Sequence, residues 1–73
     1  MFVLFYKCDH YGYCEFRQYS NKEDFSDLWY DIIKFEKLDP ISYETDQFFH
    51  DIVIDLLNTK QYKDDHIIVE YRS

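Results

Sequence analysis

The chain has 73 residues, 15 acidic and 8 basic side chains for a formal charge of -7, one glycine, one proline and no alanine. That length allows one domain spanning 1-73, and the 22% aromatic content argues against disorder, because large rings supply the buried area that a short domain otherwise lacks. The acidic balance excludes direct binding to nucleic acid or an anionic membrane surface, which needs clustered Lys and Arg, and no run approaches the roughly 20 apolar residues of a membrane span.

In chain order, Phe2 to Cys8 form an apolar, aromatic run of strand length. Met1 to Lys7 lacks the basic region and small-residue cleavage site of a secretion signal, so it reads as this first strand and the expected location is the cytoplasm. Asp9-His10-Tyr11-Gly12 predicts a turn, with the single glycine where a positive φ is expected. Tyr13 to Tyr19 alternate, with Cys14, Phe16 and Gln18 on one side and Tyr13, Glu15, Arg17 and Tyr19 on the other. This predicts a second strand paired to the first, with the latter four residues on its uncovered side.

Ser20-Asn21-Lys22-Glu23 has the spacing of a capping box, in which the serine oxygen takes a free helix N–H and the glutamate reaches back to the cap. A helix starting there carries Phe25, Leu28, Trp29, Ile32, Ile33 and Leu38 at three- and four-residue intervals, and Asp39-Pro40 ends it. A second helix starts between Ser42 and Asp46 and runs to about Thr59, with Phe48, Phe49, Ile52, Val53, Leu56 and Leu57 as its apolar stripe. Lys60 to Asp65 reads as a connection, and the β-branched centre of His66 to Arg72 predicts a third strand. The expected fold is α+β, in the order ββααβ: a three-stranded, mainly antiparallel sheet with two helices on one face.

Cys8, His10 and Cys14 surround the expected hairpin turn and offer three corners of a zinc site, with His50 or His66 as the fourth. The cysteine spacing is wider than that of paired zinc ligands, so free thiols are favoured over zinc. A Cys8–Cys14 disulfide is disfavoured further by a cytoplasmic location. No phosphate loop, nucleophile elbow or zincin motif is present, so neither an enzyme, nor a catalytic residue, nor a cofactor is expected. His50-Asp51 and Asp65-His66 are sequence neighbours that point in different directions, and they are not read as dyads.

Asp24, Asp27 and Asp31 follow one face of the first helix, and Asp51 and Asp55 repeat the pattern on the second, so neighbouring carboxylates fall roughly 6 Å apart, close to the phosphate spacing of DNA. Such like-charge pairs weaken a helix, a cost that a partner's Lys and Arg offset. Tyr11, Tyr13, Tyr19, Tyr30, Tyr43 and Tyr62 fall on expected loops or outward positions, where tyrosine serves protein interfaces. A homodimer hiding them is an equal alternative to a different partner.

The expectation is therefore a small, acidic, non-enzymatic interaction protein that blocks the basic nucleic-acid-binding surface of a host protein by charge mimicry. Its contact residues are expected to be Asp24, Asp27, Asp31, Asp51, Asp55, Tyr13, Glu15 and Tyr19. In size and charge, and in residue usage typical of AT-rich coding, the chain resembles phage and mobile-element inhibitors of the anti-restriction, anti-CRISPR and host-polymerase types. That resemblance rests on general character and not on a motif, and it implies a location in the host cytoplasm. The alternative from another class is a small metal- or ligand-binding regulatory domain using Cys8, His10 and Cys14.

Overall fold

The computed structural model describes residues 1–20 and 24–72. In chain order its elements are β1 (Phe2–Asp9), β2 (Gly12–Tyr19), α1 (Phe25–Glu36), α2 (Tyr43–Thr59), β3 (Gln61–Lys63) and β4 (Ile67–Tyr71). The fold is α+β with two helices and an antiparallel sheet, but the sheet has four strands, in the order β2-β1-β4-β3. The additional strand lies in the segment expected to be a connection. Its three residues pair with β4 through Gln61↔Glu70, Tyr62↔Val69 and Lys63↔Ile68. So short a run carries no legible alternation, and it becomes a strand only because β4 offers it an open edge.

The period-two reading of β2 fails at one residue. Register passes from Leu4↔Arg17 to Phe5↔Glu15, which leaves Phe16 as the extra residue of a β-bulge. One inserted residue exchanges the two faces for everything beyond it. Arg17 and Tyr19 therefore turn toward the helices instead of sharing an uncovered side with Tyr13 and Glu15. Phe16, expected to be covered, is 44% exposed and meets Phe35 edge-on at 4.8 Å between ring centroids.

The hairpin turn also closes differently. Gly12 does not adopt a positive φ. The Asp9 carboxylate instead accepts the Tyr11 N–H at 2.7 Å and the Gly12 N–H at 3.2 Å, an Asx turn that shapes the loop without glycine's special freedom. Among the described residues, those in the left-handed region are Lys37 (φ 56°) and Lys60 (φ 63°), each closing a helix. The first helix thus stops at Glu36, ahead of Asp39-Pro40, and the Leu38 N–H reaches the Ile33 carbonyl at 3.1 Å.

At the start of α1, the expected capping box depends on Glu23, which lies outside the described residues. Asp24 holds the N-cap position without capping a helix N–H; its carboxylate accepts the Ser20 N–H at 3.1 Å and hydroxyl at 3.0 Å. Ser42 caps α2, its Oγ accepting the Thr45 N–H at 3.2 Å.

Leu4, Tyr19, Leu28, Ile32, Ile52, Ile67 and Val69 make one buried cluster between the helices and the sheet. Phe2, Phe25, Trp29, Phe35, Phe48, Leu56 and Tyr62 pack around it. Aromatic rings thus form the rim of the core and aliphatic side chains most of its centre, which is how a domain this small closes. Leu57, assigned to the apolar stripe of α2, is 77% exposed. It lies about 100° around the helix from Leu56, beyond the narrow sheet edge that α2 covers. Among the described residues, no helix is long and apolar enough to cross a membrane.

Candidate functional site

The two thiols are joined. Cys8 and Cys14 form a disulfide across the β1–β2 hairpin, with Cα atoms 5.8 Å apart. This overturns the expectation of free thiols and removes the thiolates that the Cys8, His10, Cys14 metal reading required. The register irregularity between Lys7 and Asp9 takes Cys8 out of the ladder, on the strand opposite Cys14. Sequence spacing cannot show that bulge.

The acidic residues of α1 are largely committed to the fold. Asp31 is buried, accepts the Tyr19 hydroxyl at 2.5 Å and lies 3.5 Å from the Arg17 guanidinium. Tyr19 is itself buried, and its hydroxyl is pushed well above the ordinary phenol range by burial and by the Asp31 carboxylate. Neither residue offers a surface to a partner, which corrects their assignment as contacts. The cause in both cases is the Phe16 bulge, which points Tyr19 and Arg17 at α1. Asp27 is exposed but faces Arg17 at 3.6 Å. The Asp24 carboxyl is held below its ordinary range by the Ser20 backbone N–H and hydroxyl.

Charge on α2 is left open. Its seventeen residues include Glu44, Asp46, Asp51 and Asp55 and no Lys or Arg. All four are exposed, and among the described residues none has a salt-bridge partner. At 3.6 residues per turn, Glu44, Asp51 and Asp55 fall within about 40° of one another, with Asp51 and Asp55 about 6 Å apart along the axis. Exposed Tyr43 and Ile54 lie to one side of this stripe.

Among the tyrosines expected outside, Tyr11, Tyr30 and Tyr43 are exposed, whereas Tyr13 and Tyr62 are half-buried. Both half-buried hydroxyls are spent on Asp64. Tyr62 donates to its carboxylate at 2.7 Å, and Tyr13 donates to its main-chain carbonyl at 2.6 Å. Glu15 is exposed on the uncovered side and sits 3.4 Å from the Gln18 amide.

Asp64 belongs to a cluster that sequence reasoning did not single out. Glu36, the last residue of α1, brings a side chain that is 9% exposed. Its Oε1 is fully buried and has no hydrogen-bond partner among the described residues, while its Oε2 lies 3.4 Å from His66 Nδ1. Asp64 sits between β3 and β4, and Oδ1 accepts the backbone N–H groups of His66 at 2.7 Å and Ile67 at 2.9 Å. One ligand-type atom each from Glu36, Asp64 and His66 lies within 4.8 Å of the other two. Burial and the neighbouring Asp64 raise the Glu36 carboxyl to about 7, with His66 opposing. Burial also raises the Asp64 carboxyl, but the His66 and Ile67 N–H groups and the Tyr62 hydroxyl outweigh it and hold it below its usual range.

The His66 ring, expected either as a fourth ligand beside Cys8, His10 and Cys14 or as a mere neighbour of Asp65, instead meets Glu36, thirty residues away in sequence. The legible part was Asp64-Asp65-His66-Ile67, an Asx-type entry into a strand; Glu36 had no local signal. Beside the cluster, Tyr6, Cys8, His10, Phe35, Asp65 and His66 line an open groove of about 430 Å³. No protein-family model, no curated protein and no solved structure matches this chain.

Proposed function

We propose that the protein is a small, acidic, non-enzymatic interaction module that docks on the basic, nucleic-acid-binding surface of another protein through the outer face of α2. The supporting observation is the uncompensated charge of that face: Glu44, Asp51 and Asp55 are exposed with no salt-bridge partner among the described residues. Repulsion along such a stripe costs a few tenths of a kcal/mol per pair, and a cationic partner removes it. Exposed Tyr43 and Ile54 beside the stripe supply short-range apolar contact once charge has steered the encounter. On this reading the protein belongs with inhibitors of the anti-restriction, anti-CRISPR or host-polymerase kind and works in the host cytoplasm. Cytoplasmic thiols are normally kept reduced, so the Cys8–Cys14 bond is the feature that weighs against that location.

The test is capture of partners from the source cell by the wild-type chain and by an Asp51→Asn, Asp55→Asn double variant, at low and at raised salt. The expected partner is basic, is released by salt and loses its nucleic-acid binding when the wild-type chain is added. The double variant should bind it about tenfold more weakly, the equivalent of two interfacial charges at under 1 kcal/mol each. Equal affinity of the double variant would reduce the stripe to a solubility device.

A further inference from the structure

The buried end of α1 meets the β3–β4 connection in an arrangement that charge mimicry does not use. We propose that Glu36, Asp64 and His66 form a binding site for one divalent transition-metal ion of the zinc type. The proposal stands apart from the docking face, since it involves no carboxylate of α2.

Four observations carry it. First, Glu36 is an acid with a side chain only 9% exposed, and its Oε1 has no hydrogen-bond partner among the described residues. Glu36 faces the Asp64 carboxyl, so this buried oxygen calls for either a proton shared between the two acids or a cation. Second, the donors are spaced for an ion: the three ligand atoms lie within 4.8 Å of each other, and Glu36 Oε2 and His66 Nδ1 are 3.4 Å apart. Metal bonds of about 2.0–2.1 Å in tetrahedral geometry place neighbouring donors about 3.3–3.4 Å apart, so a small contraction closes the site.

Third, the set is supported from behind. Asp64 is held by two backbone N–H groups and the Tyr62 hydroxyl, and its carbonyl accepts the Tyr13 hydroxyl. Outer partners of this kind orient ligands in metal sites. Fourth, no Lys or Arg among the described residues is within ion-pair distance of either carboxylate, so the internal cation that would replace a metal is lacking. Exposed His66 also lines the neighbouring groove and gives an ion its way in.

The donor chemistry narrows the ion. Two carboxylates alone would suit Mg²⁺ or Ca²⁺, but an imidazole nitrogen shifts preference to Zn²⁺ and its neighbours. Three protein donors leave one tetrahedral position for water.

The test uses the full chain, treated with chelator and titrated with ZnCl2, with MgCl2 in parallel, by calorimetry and thermal melting. The expected result is one Zn²⁺ per chain and a raised Tm with zinc, and little response to magnesium. Glu36→Gln preserves side-chain shape and His66→Ala removes an exposed ring, and each should weaken zinc binding at least about tenfold while circular dichroism stays that of the wild type. Asp51→Asn with Asp55→Asn should leave zinc binding unchanged. For the wild type alone, substoichiometric Mn²⁺ should broaden the NMR signals of Glu36, Asp64 and His66 before those of α2. No saturable zinc binding, undiminished binding by Glu36→Gln, or broadening centred on α2 would each overturn the site. In the first case, Glu36 and Asp64 are a carboxyl pair sharing a proton.

Discussion

The two helices pack against the same sheet, and both carry carboxylates at helical spacing, yet they spend that charge in opposite ways. On α1, Asp31 is buried against the Tyr19 hydroxyl, Asp27 faces Arg17, and Asp24, at its start, holds Ser20. On α2, Asp51 and Asp55 face solvent with no cation at salt-bridge distance among the described residues. Helical spacing says which carboxylates share a face; what stands opposite that face decides whether they remain free for a partner. For α1 the opposing element is β2, whose bulge at Phe16 delivers Arg17 and Tyr19 to it.

The largest effect that separates the helices is structural. Asp31→Ala leaves the buried Tyr19 hydroxyl without an acceptor and should cost about 2 kcal/mol in urea unfolding. Asp51→Ala on α2 should move the midpoint little. Equal effects on the two helices would erase the distinction.

The alkaline limb of stability sharpens the same contrast. The Tyr19 hydroxyl titrates above its unfolded value, so the folded chain holds that proton where the unfolded chain releases it. Stability is therefore complete below a pH of about 10 and falls as pH rises beyond it. Tyr19→Phe should flatten part of this fall, read as Tm against pH, the rest belonging to the Tyr62 hydroxyl, which burial and Asp64 also raise, although the exchange weakens the protein at neutral pH. An alkaline limb unchanged by Tyr19→Phe would mean that the hydroxyl is neither buried nor held by Asp31.

A smaller effect is expected at the far end of α1. In chelator-treated protein at neutral pH, Glu36→Gln should stabilise the fold by about 1 kcal/mol, because an amide keeps the shape of the side chain without burying charge beside Asp64. With zinc present the order should reverse, the wild type becoming the more stable. A Glu36→Gln protein that is less stable in both conditions would show that the carboxyl serves the metal-free fold itself.

Much of this fold was legible because its elements announce themselves locally. The apolar run of β1, the start of the second helix between Ser42 and Asp46 and the three- and four-residue spacing around Ile32 and Ile52 each follow from nearest neighbours along the chain. What stayed hidden depends on pairing between distant segments. The bulge at Phe16 is set by the partner strand β1, and β3 exists only beside β4. The Cys8–Cys14 bond joins two paired strands, and Glu36 at the end of α1 meets His66, thirty residues on, only in the folded chain. The acidic pattern was visible on both helices, but its availability was not, since burial of Asp31 is decided by Tyr19 and Arg17 of another element.

The smallest predicted effect bears most directly on function. Removing like charge from an exposed helix relieves repulsion, so Asp51→Asn with Asp55→Asn should raise stability by a few tenths of a kcal/mol at low salt, a gain that disappears as salt screens the pair. The same exchange at Asp27 should give no gain, because Arg17 already sits 3.6 Å away. A fold that improves when two of its own side chains are neutralised has retained them for some use other than stability. If the double variant is instead less stable at low salt, α2 carries compensation within the fold and loses its distinction from α1 as the docking face.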